Sequence, residues 1–357
     1  MISLAGGLPD PTLFPTEALA VIAQRLVHDH GQEVLQYGVT AGAPEVRRAL
    51  IALFGASTGT GAERLVVTTG SQQALDLIAR TVVNPGDQVV VGDPDYLGGL
   101  QVFRSYGADL RPIAIDADGM DTAQLEHELQ RGLRPTCCYI VPHFHNPTGA
   151  TMSAERREHL DGLSQQFGFL VIEDDPYCEL FYGGVAPAEH AGDPELTVQL
   201  RSTSKTLAPG LRIGVLSGPD WLTDPLITAK QSVDLHTSSL SQAIVAEVVA
   251  SSWFGAHLHS LRQAYGLKRD ALIAALKSNF GDQVEMATPA GGMFLWVRFV
   301  GIGDTRAWLS RCLDQGVCFM PGSAFAVRRD LDNYARLSFA TGSVAELTEA
   351  VARMQAA

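Results

Sequence analysis

Between Arg64 and Leu216, short apolar runs alternate with helical patterns, and every run ends in a polar loop. Leu65-Val66-Val67-Thr68-Thr69 leads through Gly70-Ser71-Gln72-Gln73 into a helix reaching Val83, and Gln88-Val89-Val90-Val91 ends at Gly92-Asp93-Pro94-Asp95-Tyr96 before a helix to about Tyr106. Cys137 to Val141 ends at Pro142-His143-Phe144-His145-Asn146-Pro147-Thr148-Gly149, and a helix follows near Ser153. Leu170-Val171-Ile172 ends at Glu173-Asp174-Asp175-Pro176-Tyr177. Strands that are apolar throughout and separated by helices are covered on both faces, which predicts an α/β fold with a mostly parallel sheet. Ligands of such sheets bind beyond the carboxyl ends of the strands, so these loops are predicted to meet.

The flanks read differently. A helix is predicted from Thr16-Glu17 to about His30, and another from Pro44, a proline suited to a first helical turn. After Leu240 helical patterns dominate, with strands at Met293 to Val297 and Tyr334 to Phe339. A chain of 357 residues, 46% of them hydrophobic, can bury more than one small core. The rhythm predicts a large domain over residues 36–240 and a smaller α+β domain over 241–357, joined by residues 1–35. A net charge of -13 without clustered Lys or Arg argues against a nucleic-acid surface. The N-terminus has no basic region, and no window is long and apolar enough to span a bilayer, so a cytoplasmic protein is expected. Five cysteines, two of them adjacent at Cys137 and Cys138, fit free thiols better than disulfides or a zinc site.

One further loop, Ser202-Thr203-Ser204-Lys205-Thr206-Leu207-Ala208-Pro209-Gly210-Leu211-Arg212, joins Leu196 to Leu200 with Ile213 to Leu216. The chain has four lysines. Lys230 follows Ile227-Thr228-Ala229, and Lys268 and Lys277 lie in helical runs with the charge spacing of solvated faces. Lys205 alone sits in small, hydroxyl-rich chain, where an amine can serve as a nucleophile. Each neighbouring feature has a plainer explanation when taken singly: Asp174 a helix cap, Tyr96 and Tyr177 half-buried aromatics, Arg336 a structural ion pair. Their joint placement on successive strand ends suits one ligand that carries a phosphate, an aromatic ring, a ring nitrogen and an aldehyde. The helix opening at Ser71 and Gln72, with Ser202, Ser204 and Arg212, would meet the phosphate. Tyr96 would stack on the ring, Asp174 would keep the ring nitrogen protonated, and Asn146 with Tyr177 would bond a ring hydroxyl. Lys205 would form a Schiff base with the aldehyde. Pyridoxal 5'-phosphate is such a ligand.

Asn146-Pro147-Thr148-Gly149, Asp174-Asp175-Pro176-Tyr177, Ser202-Thr203-Ser204-Lys205 with Arg212, and Arg336-Leu337-Ser338-Phe339 resemble, in this order, the signatures of fold-type I pyridoxal-phosphate enzymes, the class I/II aminotransferases. Ala5-Gly6-Gly7-Leu8-Pro9, Leu35-Gln36-Tyr37, Gly70 to Asp76 and Asp234-Leu235-His236-Thr237 are similar to the 2-aminoadipate aminotransferase (LysN) branch, shared with the aminotransferase-like domains of MocR regulators. The resemblance covers nearly the whole chain. It implies transfer of an amino group between an α-amino acid and a 2-oxo acid, with Lys205 as Schiff-base residue and proton carrier. Asp174 and Tyr96 would assist, and Arg336, Asn146 and Gly7 would hold the substrate, the planar guanidinium pairing with its carboxylate. It also implies a homodimer in which Tyr37 reaches the neighbouring subunit's phosphate.

Two departures stand out. His145 occupies a position where the branch has glutamine, and is expected to pack beside the cofactor loop, with tuning of proton transfer as the sharper alternative. The chain starts almost directly at Ala5-Gly6-Gly7, without the preceding helix whose arginine reads the substrate side chain in 2-aminoadipate enzymes, so an acidic substrate is not carried over. On the same ground a regulator's winged helix is not expected. The alternatives to transamination are another pyridoxal-phosphate reaction (elimination, cyclisation, decarboxylation or oxidation) or a binding protein that kept the shape.

Overall fold

A computed structural model describes residues 1–54, 61, 64–188 and 192–357. The chain opens with β1 (Ile2–Ser3), α1 (Thr16–Val34) and α2 (Pro44–Phe54). It continues through β2 (Leu65–Thr68), α3 (Ser71–Val82), β3 (Gln88–Asp93), α4 (Leu97–Ser105), β4 (Asp109–Asp116), β5 (Gly119–Met120) and α5 (Thr122–Gln130). Next come β6 (Cys137–Ile140), α6 (Ala154–Phe167), β7 (Leu170–Asp174), β8 (Thr197–Ser202), β9 (Gly214–Ser217) and α7 (Asp220–Asp234). α8 (Ser239–Ala250), α9 (Phe254–Phe280), β10 (Val284–Glu285), β11 (Phe294–Phe299), α10 (Thr305–Asp314), β12 (Val317–Cys318), β13 (Met320–Pro321), β14 (Tyr334–Ser338) and α11 (Val344–Ala356) complete it.

Eight strands form one sheet in the order β2-β9-β8-β7-β6-β3-β4-β5. The central pairs β8–β7, β7–β6, β6–β3 and β3–β4 are parallel, while β9 runs against both β8 and β2. Both faces are apolar because successive side chains go to opposite sides. Val89, Val91, Cys137 and Tyr139 belong to one core cluster, whereas Val90, Cys138 and Ile140 join Leu125, Leu129, Leu160 and Leu163 in a second, under α5 and α6. α6 starts where Ser153 accepts a hydrogen bond from the Arg156 amide and stops at Gly168, which takes the left-handed conformation at φ 71°.

A second sheet, β10-β11-β14-β13, is antiparallel throughout. β1 pairs in parallel with β12, which ties the N-terminus to the C-terminal part of the chain. The pattern of alternation predicts the central strands to within a residue or two. α1 runs past His30, which has non-helical torsions, to Val34. The edge pair β4–β5 and the helix α7 carry no strong sequence signal and emerge only in the fold. All five cysteines are free. Among the described residues no helix is long and apolar enough to cross a membrane, and no His, Cys, Asp and Glu cluster could hold a metal.

Candidate functional site

β2 and β8 lie parallel across β9, so their carboxyl ends fall on the same edge as those of β3, β6 and β7. The loops from these five ends, with the N-terminal segment and β14, enclose a cavity of about 580 Å³. Gly7, Ser71, Gln72, Tyr96, Asn146, Asp174, Tyr177, Ser202, Ser204, Lys205, Arg212 and Arg336 line it, together with Leu8, Leu97, Gly98, Gln101, Val141, Pro176 and Pro209. Every sequence-predicted site residue is therefore brought together except Tyr37. That side chain is 78% exposed on the outer surface, edge-on to His236 at 5.8 Å.

At one end the cavity is built to hold an anion. α3 begins at Ser71, and the buried Ser71 hydroxyl has no hydrogen-bond partner. Gly70 precedes it at φ 81°, and a Cβ there would come within 2.7 Å of the Arg212 guanidinium. Arg212 Nη2 donates to the Thr69 carbonyl at 2.9 Å, which lays the guanidinium beside the helix opening. Ser202 Oγ donates to Ser204 Oγ at 2.9 Å and accepts from the Ser204 amide at 3.1 Å, closing the turn that presents both hydroxyls. Amides at a helix start, hydroxyls and a guanidinium are together the donors that suit an anion such as a phosphate.

The middle of the cavity holds an ammonium and a carboxylate, both without a charged hydrogen-bond partner. Lys205 Nζ donates to the Gly7 carbonyl at 2.8 Å. Burial, reinforced by the Arg336 charge, lowers its pKa to about 8. Asp174 lies at the end of β7, 4% exposed; Tyr139 donates to its Oδ2 at 3.0 Å, and its Oδ1 has no partner. Burial pushes the Asp174 carboxyl up to about 7. A buried carboxylate oxygen left unpaired is costly, so the site is arranged for a donor that the chain itself does not supply. Burial likewise raises the Tyr177 and Tyr96 phenols.

Opposite them, Arg336 on β14 donates through Nη1 to Asn146 Oδ1 at 2.8 Å and through Nη2 to the Ala5 carbonyl. The guanidinium carbon lies 4.2 Å from the Phe294 ring centroid and 4.9 Å from that of Phe325. Burial lowers its pKa to about 10. Such a flat, aromatic-flanked guanidinium suits bidentate capture of a carboxylate.

His145 does not line the cavity. Its ring bridges Thr148 Oγ1 at 2.9 Å and Asp95 Oδ1 at 3.2 Å, and so links the Asn146 loop to the Tyr96 loop. That is the packing role expected of it. Two lysine readings need correction. Lys268, expected on a solvated face, is 8% exposed and pairs with Asp10 while donating to the Ala340 carbonyl at 2.8 Å. Lys230, read as unremarkable, is fully buried against Asp234 at 2.7 Å. Lys277 is exposed as expected. Sequence reasoning also passed over Tyr139, whose only signal was its place in a strand facing Asp174.

A family model described as aminotransferase class I and II matches residues 4–354. The aromatic-amino-acid aminotransferase 1 of Thermococcus litoralis is 37% identical over 99% of this chain and 87% of its own length. The 2-aminoadipate transaminase of Thermus thermophilus is 35% identical over 99% of this chain and 89% of its own. The crystal structure of alpha-aminoadipate aminotransferase (LysN) from Thermus thermophilus, complexed with N-(5'-phosphopyridoxyl)-L-leucine, superposes with a TM-score of 0.93 at 34% identity, covering 100% of this chain and 91% of that one. The chain belongs to the class I and II aminotransferases, pyridoxal-phosphate enzymes of fold type I that move an amino group between an amino acid and a 2-oxo acid.

Proposed function

We propose that the cavity residues divide the work of transamination as follows. Ser71, Gln72, Ser202, Ser204 and Arg212 hold the phosphate of pyridoxal phosphate at the start of α3. Tyr96 would lie against the ring, while Asn146 and Tyr177 would bond its hydroxyl. Asp174 Oδ1 would accept from the ring nitrogen, and Lys205 Nζ would meet the aldehyde. The single observation that carries this reading is the orphaned Asp174 oxygen, buried in the same cavity as a lysine with lowered pKa. The residues fit the group: an unpaired buried carboxylate oxygen suits its ring N–H, and an unpaired hydroxyl at a helix start suits its phosphate.

Bound there, pyridoxal phosphate supplies an aldehyde that condenses with amines and a protonated ring that takes up electron density. Asp174 keeps that ring proton in place, because an ion pair replaces its unfavourable solitary burial. Arg336 fixes the substrate α-carboxylate beside Asn146, orienting the α-hydrogen toward Lys205. Lys205 Nζ, with a pKa near 8, is the base that removes and returns that proton. The cations Lys205, Arg212 and Arg336 are thereby all assigned, and the remaining lining of Leu8, Leu97, Gly98, Gln101, Val141, Pro176 and Pro209 is uncharged and mostly apolar, which suits a neutral, aromatic or aliphatic substrate side chain. The Thermococcus litoralis relative, an aromatic-amino-acid aminotransferase, points the same way.

The proposed working form is a cytoplasmic homodimer in which exposed Tyr37 reaches the phosphate of the partner's site, with residues 1–35 and 241–357 forming a small domain against residues 36–240. The test is a panel of amino acids with and without 2-oxo acids. Conversion of the cofactor to its amine form, reversed by an oxo acid and fastest with aromatic donors, is expected. Ammonia release, ring formation or oxygen consumption would contradict transamination, and a preference for acidic donors would contradict the substrate class.

A further inference from the structure

Behind the phosphate cradle, on the side away from the cavity, lies a second buried ammonium. Lys230 on α7 is 0% exposed and donates to Asp234 Oδ1 at 2.7 Å, to Asp234 Oδ2 at 2.9 Å and to Gln73 Oε1 at 3.3 Å. Asp234 in turn accepts from Gln73 Nε2 at 2.7 Å and from the Thr69 hydroxyl at 3.1 Å. Gln73 Oε1 also accepts from the Thr69 amide at 2.8 Å. Thr69, Gly70 and Ser71 are the chain that enters α3. They are gripped twice: by Arg212 at the Thr69 carbonyl on the cavity side, and by the Gln73 and Asp234 side chains at the Thr69 amide and hydroxyl behind.

The grip needs Asp234 as an acceptor, yet a bare carboxylate behind a phosphate site would repel the phosphate. A buried ammonium with two contacts to that carboxylate cancels its charge and fixes its direction together. Although its own burial works against ionisation, hydrogen bonds from Lys230 and Gln73 hold Asp234 below the usual carboxylate range. Such a buried lysine loses much hydration, which a purely space-filling position would not require.

We propose that Lys230, through Asp234, Gln73 and Thr69, is a positioning residue for the cofactor phosphate, holding the entry to α3 in its anion-binding shape and neutralising the carboxylate behind it. The inference rests on the placement of the phosphate at the start of α3. Its test compares two probes that differ only by the phosphate. Holoenzyme is stripped of cofactor and reconstituted with pyridoxal phosphate or with pyridoxal, and binding is followed by visible absorbance.

For Lys230→Met the expected result is affinity for pyridoxal phosphate weakened about tenfold or more, with pyridoxal affinity changed less than about twofold. Thr69→Val, which cuts the hydroxyl link without touching the buried lysine, is expected to show the same selectivity with a smaller loss. It carries the test should Lys230→Met fail to fold. Equal weakening of both probes, or no weakening of either, would overturn the inference. Arg212→Gln separates it from the reading beneath it. If that variant loses pyridoxal phosphate selectively and the Lys230 and Thr69 variants do not, the positioning role fails and the phosphate site stands. If Arg212→Gln also treats the two probes alike, the phosphate lies elsewhere and both readings fall.

Discussion

Asp174 and Asp175 are neighbours at the end of one strand, and the chain treats them in opposite ways. Asp174 turns to the cavity, keeps one oxygen unpaired and has its pKa raised to about 7 by burial. Asp175 turns to the other face, where Arg201 pairs with it and the His143 ring lies at 2.6 Å. Burial alone would raise it too, but the charges of Arg201, His143 and Arg157 bring it down to about 2. Arg157 also bonds Glu173 at 3.1 Å and His143 at 3.1 Å, and Gln199 donates to Glu173 at 2.8 Å, all within the core. Each carboxylate keeps one buried oxygen without a partner, but that of Asp175 lies among the charges of Arg201 and Arg157, whereas that of Asp174 belongs to a residue lining the cavity. Alternation of side chains at the end of β7 is enough to separate a cavity-facing carboxylate from one paired in the core by a single residue.

The sharpest way to break that contrast is to neutralise each carboxylate in turn. Asp174→Asn should lower transamination by about 10³-fold, since a preorganised charge contact to the reacting ring is lost. The ligand-free variant should fold at least as well as the parent. The sign follows from the raised pKa: folded Asp174 holds its proton between the unfolded value near 3.8 and about 7, so wild-type stability falls as pH rises through that window. Urea titrations at several pH values should show this slope in the parent and its loss in Asp174→Asn.

Asp175→Ala should do the reverse, costing about 3 kcal/mol of stability by removing the buried carboxylate that pairs with Arg201 while leaving the cofactor's absorbance in place. With its pKa lowered to about 2, Asp175 contributes stability above the unfolded value near 3.8 that disappears as pH falls from there through about 2. At the edge of the cavity, Arg336→Lys should reduce kcat/KM about a hundredfold, because an ammonium cannot make the paired contact. Tyr139→Phe removes the hydrogen bond that Asp174 Oδ2 receives and should shift the pH dependence of cofactor absorbance with about a tenfold loss of rate. His145→Gln should have the smallest effect, leaving substrate profile and pH dependence as they were, since the ring bonds Asp95 and Thr148 and does not line the cavity. A changed pH profile there would revive a role in proton transfer.

The strand ends were legible because each carries its polar residues immediately after a run of apolar ones, and topology alone then forces them together. Ser71, Asn146, Asp174 and Lys205 needed no knowledge of side-chain contacts. What was not legible depends on partners far away in the chain. Lys268 finds Asp10 across 258 positions, and helical charge spacing cannot tell such a residue from one on a wet face. Lys230 meets Asp234 one turn on, a spacing usual on exposed helices; only the packing of α7 against α3 makes it a core pair. Tyr139 reads as one more core residue until the neighbouring strand places Asp174 within reach of its hydroxyl.

The account depends most on Lys205 being the one lysine of four that meets the cofactor. Borohydride reduction of the holoenzyme followed by peptide mass spectrometry reads this directly. A phosphopyridoxyl group is expected on the peptide containing Lys205, with Lys230, Lys268 and Lys277 unmodified and no label in Lys205→Ala. A label on any other lysine, or one that survives Lys205→Ala, would contradict the assignment of the cavity.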